Sequence, residues 1–359
     1  MSEGLPLREE VPVRETWDLK DLFTSDQAFY QTLEQVVQMS LDFNHTYYQK
    51  LNNIETIDKA LDEYERILIE IDRLYNYPEL RLSVDTANEE AQKVNAKLNT
   101  TSGKLAGLLS FVDSEILELS DDKISELRSR TKYPHFIKQL QDRKPYQLSA
   151  DVEKVLATLT PTLRSPFELY GTTKSLDINF ESFDSEGVTY PLDYATFENE
   201  YEDHPSPEFR RKSFRAFSDA LRQYQHTTAA TYNMQVQQEK IEADLRGYDS
   251  VIDYLLQDQE VTKDMFDRQI DVIMSDLAPV MQKYAKIIQR VHNLDKMRFE
   301  DLKISIDPNF EPEISIEKSK KYIYGALNVL GDDYVKMLES AYDYRWIDFA
   351  QNKGKDTEI

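Results

Sequence analysis

Apolar side chains recur every three or four positions through most of this chain, the period of an amphipathic helix. Thr24-x-x-Gln27 has the form of a capping box. It opens a segment with Phe29, Leu33, Val36, Val37 and Phe43 on one side. From Ile54 to Leu74 the pattern returns through Ile57, Leu61, Tyr64, Leu68 and Ile71. A longer stretch, about residues 84–119, carries Ala91, Val94, Leu98, Leu105 and Leu109 as expected buried positions. Its length points to helices packed against helices in a bundle.

Prolines then shorten the elements. Tyr133-Pro134 and Lys144-Pro145 break the next region into short pieces. Ser149 caps a predicted helix with Val152, Val155, Leu156 and Leu159, which should stop before Pro161, and Pro166 begins another break. One stretch has a different period. Leu176-Asp177-Ile178-Asn179-Phe180 alternates apolar and polar, and Val188-Thr189-Tyr190 follows Asp184-Ser185-Glu186-Gly187. This predicts a small β-hairpin within residues 176–192, bracketed by Pro191.

Helical periodicity resumes at Ser206-Pro207, an N-cap followed by proline at the first helical position. The helix carries Phe209, Phe214, Phe217, Leu221 and Tyr224, and its pattern continues to Leu245 before Gly247. Thr262 opens another, with Phe266, Ile270, Ile273, Leu277, Met281, Tyr284 and Ile288 on one face and a kink or division expected at Pro279. Ser315 caps Ile316 to Leu330, Gly331 fits the position after the helix end, and Asp332 to Trp346 forms the last helix. No strict repeat, low-complexity tract or sustained heptad is present. The pattern as a whole predicts an all-α chain with one small hairpin.

Composition narrows the function. Lys and Arg number 43 against 66 Asp and Glu, a net charge of −23. An excess of carboxylates repels phosphate, which disfavours a nucleic-acid partner. Acidity can steer cationic peptides, but its simpler role is solubility. Only 9 glycines occur, too few for Gly-rich phosphate loops or a doubly wound nucleotide fold. With no cysteine, disulfides, thiolate zinc sites and a cysteine nucleophile are all excluded. No apolar run approaches the roughly 18 residues of a transmembrane helix. The opening Met1-Ser2-Glu3-Gly4-Leu5-Pro6-Leu7 lacks the basic and apolar regions of a secretory signal. Together these features lead us to expect a cytoplasmic protein with no membrane partner.

A helical zinc hydrolase needs two imidazoles one turn apart on one face, with a carboxylate beside them. The histidines are His45, His135, His204, His226 and His292, and the nearest two, His204 and His226, stand 22 positions apart. No metal or catalytic residue is therefore assigned. His204 follows Glu200-Tyr201-Glu202-Asp203, where acidic neighbours should favour its charged form in a solvated loop. His45, His226 and His292 read as surface residues, and His135 fits either a packed or an exposed setting. Glu200/Glu202/Asp203 and Asp332/Asp333 form carboxylate pairs, but pairs arise by chance among so many acids and carry little weight as acid–base candidates. No Gly-x-Ser-x-Gly elbow or phosphate loop occurs. The 22 tyrosines and 16 phenylalanines fall mostly at helical core spacings.

Four stretches add a resemblance. They are Arg14-Glu15-Thr16-Trp17-Asp18-Leu19-Lys20-Asp21-Leu22-Phe23; Leu159 through Tyr170 to Asn179-Phe180; Phe209-Arg210-Arg211-Lys212-Ser213-Phe214-Arg215-Ala216-Phe217; and Ala326 through Leu330-Gly331-Asp332-Asp333-Tyr334 to Trp346-Ile347-Asp348 and Asn352-Lys353-Gly354-Lys355. In order and spacing the chain resembles the oligoendopeptidase F family of zinc metallopeptidases. The resemblance implies a mostly helical, two-lobed body with a channel for short peptides, one zinc on a His-Glu-x-x-His helix, and a further glutamate ligand downstream.

None of those ligands has a counterpart here. After Lys355 the chain reads Asp356-Thr357-Glu358-Ile359, a departure that suggests a frameshift, an early stop or a deliberate cut. The expected organisation is an N-terminal helical lobe at 1–204 and the start of a catalytic lobe at 205–359. Zinc-dependent cleavage of short peptides is the family activity. The chain alone is expected to bind no catalytic zinc and to be inactive, and whether it works as an enzyme is left open. The alternative is a non-enzymatic helical peptide-binding or scaffold protein. The apolar faces built from Ile323, Leu327, Leu330, Val335, Leu338 and Trp346 should lack part of their cover. Residues after about 314 are therefore expected to be less stable and prone to self-association or chaperone binding.

Overall fold

In the computed structural model, which describes residues 5–307, 310 and 312–355, the chain forms two compact units. One comprises Met1–Lys144 with Glu313–Ile359, the other Pro145–Pro312.

The first unit begins with short 3-10 turns, among them Arg8–Glu10, Val13–Glu15 and Leu19–Asp21. Helix α1 (Asp26–Tyr47), α2 (Ile54–Val84) and α3 (Glu89–Leu109) then pack on one another. Phe29, Leu33 and Val36 of α1 meet Ile57, Leu61 and Leu74 of α2 and Val94, Leu98 and Leu105 of α3 in one core, all 3% exposed or less. Each such side chain contributes roughly 1.5–3 kcal/mol by leaving water. Short helices α4 (Phe111–Leu117), α5 (Asp121–Arg130) and α6 (Pro134–Arg143) extend the core through Ile116, Ile124, Leu127, Ile137 and Leu140. Every buried position predicted on α3 is buried.

Three local readings shift. The cap of α1 is Ser25, whose hydroxyl accepts from Ala28 N at 3.2 Å, so the Thr24 capping box does not form. On α2 the buried position is Ile67, whereas Leu68 is exposed. The same helix passes through Pro78 to Val84. Pro78 removes one amide, but buried Leu74, Tyr77 and Val84 hold the continuation to the core.

The second unit begins within a 3-10 turn, Lys144–Tyr146, and continues with α7 (Ala150–Leu163), which runs past the expected stop at position 161. After α8 (Ser165–Thr172) comes a π-helical turn, Thr173–Asp177. The alternation at 176–180 is therefore not the first strand. The hairpin pairs β1 (Phe183–Ser185) with β2 (Val188–Tyr190), with Phe183 opposite Tyr190. Glu186 and Gly187 both have positive φ, 54° and 80°, the geometry of a tight I′ turn.

A short helix α9 (Tyr194–Thr196) and a π turn, Phe197–Tyr201, lead to α10 (Pro207–Gln223) and α11 (Gln225–Arg246). Ser206 caps α10 as predicted. Gly247, at φ 80°, closes α11 in the left-handed conformation that glycine adopts without strain. Phe183, Leu192, Phe197, Tyr201, Phe209 and Phe217 form the core here, and the Phe197 and Phe217 rings stack at 4.1 Å. Helices α12 (Val251–Gln257), α13 (Lys263–Val272) and α14 (Ala278–Val291) follow. A π turn, Ile273–Leu277, stands just before Pro279 and absorbs its missing amide. Of the predicted stripe on these helices, Ile288 is buried, whereas Ile270, Ile273, Leu277, Met281 and Tyr284 are exposed.

The chain returns to the first unit as α15 (Ile316–Leu327) and α16 (Asp332–Asp343), joined by a 3-10 turn ending at Gly331. The two helices pack on each other, with Tyr324 and Tyr342 edge to face at 5.9 Å. Ile323, Leu327, Val335 and Leu338 are half-buried between them, while Leu330 and Trp346 are exposed. Helix α16 stops at Asp343, three residues before the predicted end at Trp346.

Candidate functional site

Two of the stretches that carried the resemblance fold against each other in the first unit. The polypeptide leaves α16 through a Schellman turn: Trp346 N donates to Ala341 O at 2.8 Å and Arg345 N to Tyr342 O at 3.2 Å. Arg345 takes the left-handed position, φ 56°, where glycine is the usual choice. Its guanidinium shows what offsets that cost, donating to Val13 O at 2.7 Å and Asp18 Oδ2 at 2.8 Å. Asp18 N returns a bond to Arg345 O, 2.7 Å, and Trp346 Nε1 donates to Asp21 Oδ2, 2.7 Å. Further on, Phe349 N reaches Glu15 O, Lys353 N reaches Pro6 O, and Thr86 N reaches Gly354 O. Asn352, 1% exposed, donates to Val84 O at 2.8 Å.

Asp348 stands at the centre of this clamp. Arg8 grips both its oxygens, with Nη1–Oδ1 at 3.0 Å. Lys355 Nζ donates to Oδ1 at 2.6 Å, and Trp17 N to Oδ2 at 3.1 Å. The Asp348 and Lys355 side chains are 3% and 6% exposed. Burial by itself would raise the carboxyl's pKa, but the bonds from Arg8, Lys355 and the Trp17 amide outweigh it and hold the group below the usual carboxylate range.

A cleft of about 380 Å³ adjoins the clamp, lined among others by Arg8, Trp17, Arg81, Val84 and Asn88. Its two guanidiniums are already engaged, Arg8 by Asp348 and Arg81 by Asp26 at 2.5 Å. Among the described residues, the cleft therefore offers no free guanidinium for an anionic ligand.

The histidines do not converge. His45 ends α1 and His135 begins α6 in the first unit; His204, His226 and His292 lie before α10, at the start of α11 and after α14 in the second. Among the described residues, no three His, Asp or Glu side chains come together as a metal ion requires. The donor set of the described residues does not fit catalytic zinc. Asp333 is fully exposed beside Lys336, as a chance carboxylate pair would be.

His204 corrects an expectation. Its ring is half-buried and stacks on Phe209 at 4.0 Å, and Ser206 N donates to Nδ1 at 3.2 Å. Burial lowers its pKa, and the charge of nearby Arg210 adds to this; the acids Asp203 and Glu186 oppose but do not prevail. The neutral form is favoured, not the charged one. His292 is half-buried as well, its Nε2 2.8 Å from Ser305 O.

The strongest polar feature of the second unit escaped sequence reading. Arg210 Nη2 meets Asp301 Oδ1 at 2.7 Å with both side chains 0% exposed. Arg211 binds the other oxygen at 3.1 Å, and Arg298 N donates to it at 3.2 Å. Arg210 Nη1 also donates to His204 O and Pro205 O, at 2.6 and 3.1 Å. One sequence signal existed: Arg210, Ser213, Phe217 and Ala220 follow the helical period and form one buried stripe of α10. An arginine on that stripe demands a buried acid, though periodicity cannot say which.

Family models match in two places. The one described as Oligopeptidase F covers residues 115–180 and that for Peptidase family M3 covers residues 201–358. Oligopeptidase PepF of Bacillus subtilis (strain 168) is 26% identical over 356 residues, which is 98% of this chain and 53% of that protein. The oligoendopeptidase F homolog of Lactococcus lactis subsp. lactis (strain IL1403) is 23% identical over 354 residues, 97% of this chain and 58% of its own. The chain thus spans somewhat more than half the length of these curated relatives. Among solved structures, oligoendopeptidase-F from Enterococcus faecium superposes with a TM-score of 0.68 at 22% identity, over 88% of this chain and 61% of that one. That likeness speaks to the fold.

Proposed function

We propose, for a chain that belongs to the oligoendopeptidase F group of peptidase family M3, that it forms the part of a zinc-dependent oligoendopeptidase that carries no zinc ligands. In this reading residues 1–204 correspond to the N-terminal helical lobe and 205–359 to the opening of the catalytic lobe. The observation that carries it is the order of the two family matches along one chain, 115–180 and then 201–358. M3 peptidases are zinc-dependent metallopeptidases, and when bound such a metal polarises the scissile carbonyl and activates water. The whole enzyme's substrates are short peptides, and its compartment is the cytoplasm. The absence of cysteine from the sequence is consistent with that compartment. Among the described residues no helix is long and apolar enough to cross a membrane.

This chain's own contribution is positional. The Asp348 clamp ties residues 344–355 to the N-terminal turns and to the end of α2. Purified chain is expected to hold zinc well below one equivalent and to leave a quenched fluorescent peptide uncut. Stoichiometric, tightly held zinc, measured by atomic emission, with chelator-sensitive cleavage would overturn this.

The exposed face of α15 and α16 supports a tendency to self-associate or to bind chaperones. Tyr322 and Met337 on the helices, and Val329 and Leu330 on the turn between them, are 47–85% exposed, and large exposed apolar surface marks association sites. We expect concentration-dependent sedimentation, abolished by Val329→Lys with Leu330→Lys. Strict monomer behaviour up to about 100 μM, where exposed apolar surface favours aggregation, would remove the idea.

A further inference from the structure

The second unit holds a cavity of about 190 Å³ between the π turn Phe197–Tyr201, α10 and the turn Phe299–Asp301. Its walls include the rings of Phe197, Phe214 and Phe299 and the side chain of Leu302. A cavity of roughly 150 Å³ lined by such groups admits a benzene molecule, so this one has room for a phenyl ring. It is small beside a whole ligand pocket, which commonly exceeds about 300 Å³. Its size is that of a subsite for one side chain.

The polar groups refine the choice. Arg210 also lines the cavity. Its side chain is 0% exposed, and its two Nη atoms are committed to Asp301, His204 O and Pro205 O, so it presents no donor to an occupant. The Arg210 charge is already matched by Asp301. Of the acids that line it, Glu202 is paired with Lys303, and Glu300 has Arg298 Nη1 4.0 Å from its Oε1. The cavity therefore favours an uncharged side chain. Two of its walls are left in water, Phe299 at 72% and Leu302 at 45% exposure. Phe214 and Phe299 stand 5.7 Å apart and tilted, leaving an aromatic occupant edges and faces to meet.

We propose that this cavity is a subsite for one uncharged aromatic side chain of a bound peptide. The word peptide rests on the functional reading above; the side-chain class rests on the cavity. The occupant covers Phe299 and Leu302.

The test titrates N-acetyl-L-phenylalaninamide into the full chain carrying ¹³C-methyl leucine. Saturable shifts of the Leu302 methyls are expected. N-acetyl-L-alaninamide, which cannot fill the space, should bind at least about ten-fold more weakly, and N-acetyl-L-lysinamide should be similarly weak. Leu302→Trp, which fills the cavity from an exposed position, should abolish the shifts. Phe299→Ala, at a still more exposed position, should weaken binding several-fold and serves if the tryptophan variant does not fold.

Absence of saturable shifts, equal binding of the alanine analogue, or shifts spread equally over exposed Leu255 and Leu277 would overturn the subsite. The titration needs neither zinc nor turnover. Its failure would leave the oligoendopeptidase reading intact, and zinc-dependent cleavage by this chain would overturn that reading while leaving a positive titration standing.

Discussion

Replacing Asp348 with asparagine is expected to destabilise the first unit by about 3–5 kcal/mol. The carboxylate is the shared partner of Arg8 and Lys355, and its own side chain is 3% exposed. The amide keeps the shape but removes the charge, leaving Lys355, 6% exposed, without its counter-ion. A surface pair such as Lys93–Glu90, with both side chains more than 60% exposed, contributes at most about 1 kcal/mol. Denaturant unfolding of the two variants side by side measures the contrast. Hydrogen exchange should show the loss first at residues 344–355. If Asp348→Asn and Glu90→Gln cost the same, the clamp is an ornament of the surface.

The same carboxylate sets a pH dependence. Its pKa is lower in the folded protein than in the unfolded chain, where an aspartate titrates near about 3.9. The unfolded state therefore takes up its proton first as pH falls. The stabilisation is fully present above the unfolded pKa and is lost as pH falls through the folded one. The gap between wild type and Asp348→Asn should thus be constant near neutrality and narrow below about pH 4. A gap that widens in acid would contradict the assignment.

Asp301→Ala is expected to cost a similar 3–5 kcal/mol, in the second unit. It strands Arg210, whose side chain is 0% exposed, and deprives Arg211 and the Arg298 amide of an acceptor. Against a whole-domain stability of about 5–15 kcal/mol, such a loss threatens folding at physiological temperature. The pair need not be stabilising relative to apolar groups, because both ions gave up their water to meet. Arg210→Met combined with Asp301→Leu should therefore be more stable than Asp301→Ala alone. A double variant as unstable as the sum of the two single changes would mean that the ions are worth more than the apolar packing that could replace them.

The clearest sequence signals were those whose physics is local. Ser206-Pro207 starts α10 and Gly247 ends α11 because a cap, a fixed φ and a left-handed turn each involve a few consecutive residues. Ala91, Val94, Leu98, Leu105 and Leu109 are buried because a helix with one apolar stripe has one way to hide it. The hairpin was found, but not its first strand. The alternation at Leu176–Phe180 is only five residues, and Thr173–Asp177 closes as a π turn, whereas the I′ turn at Glu186-Gly187 selects Phe183–Ser185 as the partner of β2.

Position 205, where a lobe boundary was expected, falls inside the second unit, whose ends are Pro145 and Pro312. Contact between the chain's first residues and its last, such as Arg8 with Asp348, has no counterpart in local periodicity.

By itself, then, the sequence determined the helical class, several helix starts, one hairpin and the family resemblance. All of these follow from periods and caps spanning a few residues. Tertiary structure alone decided that Glu313–Ile359 returns to the first unit, and that Arg8 meets Asp348 across 340 residues. It also decided that Arg210 finds Asp301 across 91, and that the stripe on α13 and α14 stays largely in water. A charge declares by its type that it needs a partner once it is buried. Which residue answers depends on the path of the whole chain, and no local pattern records that path.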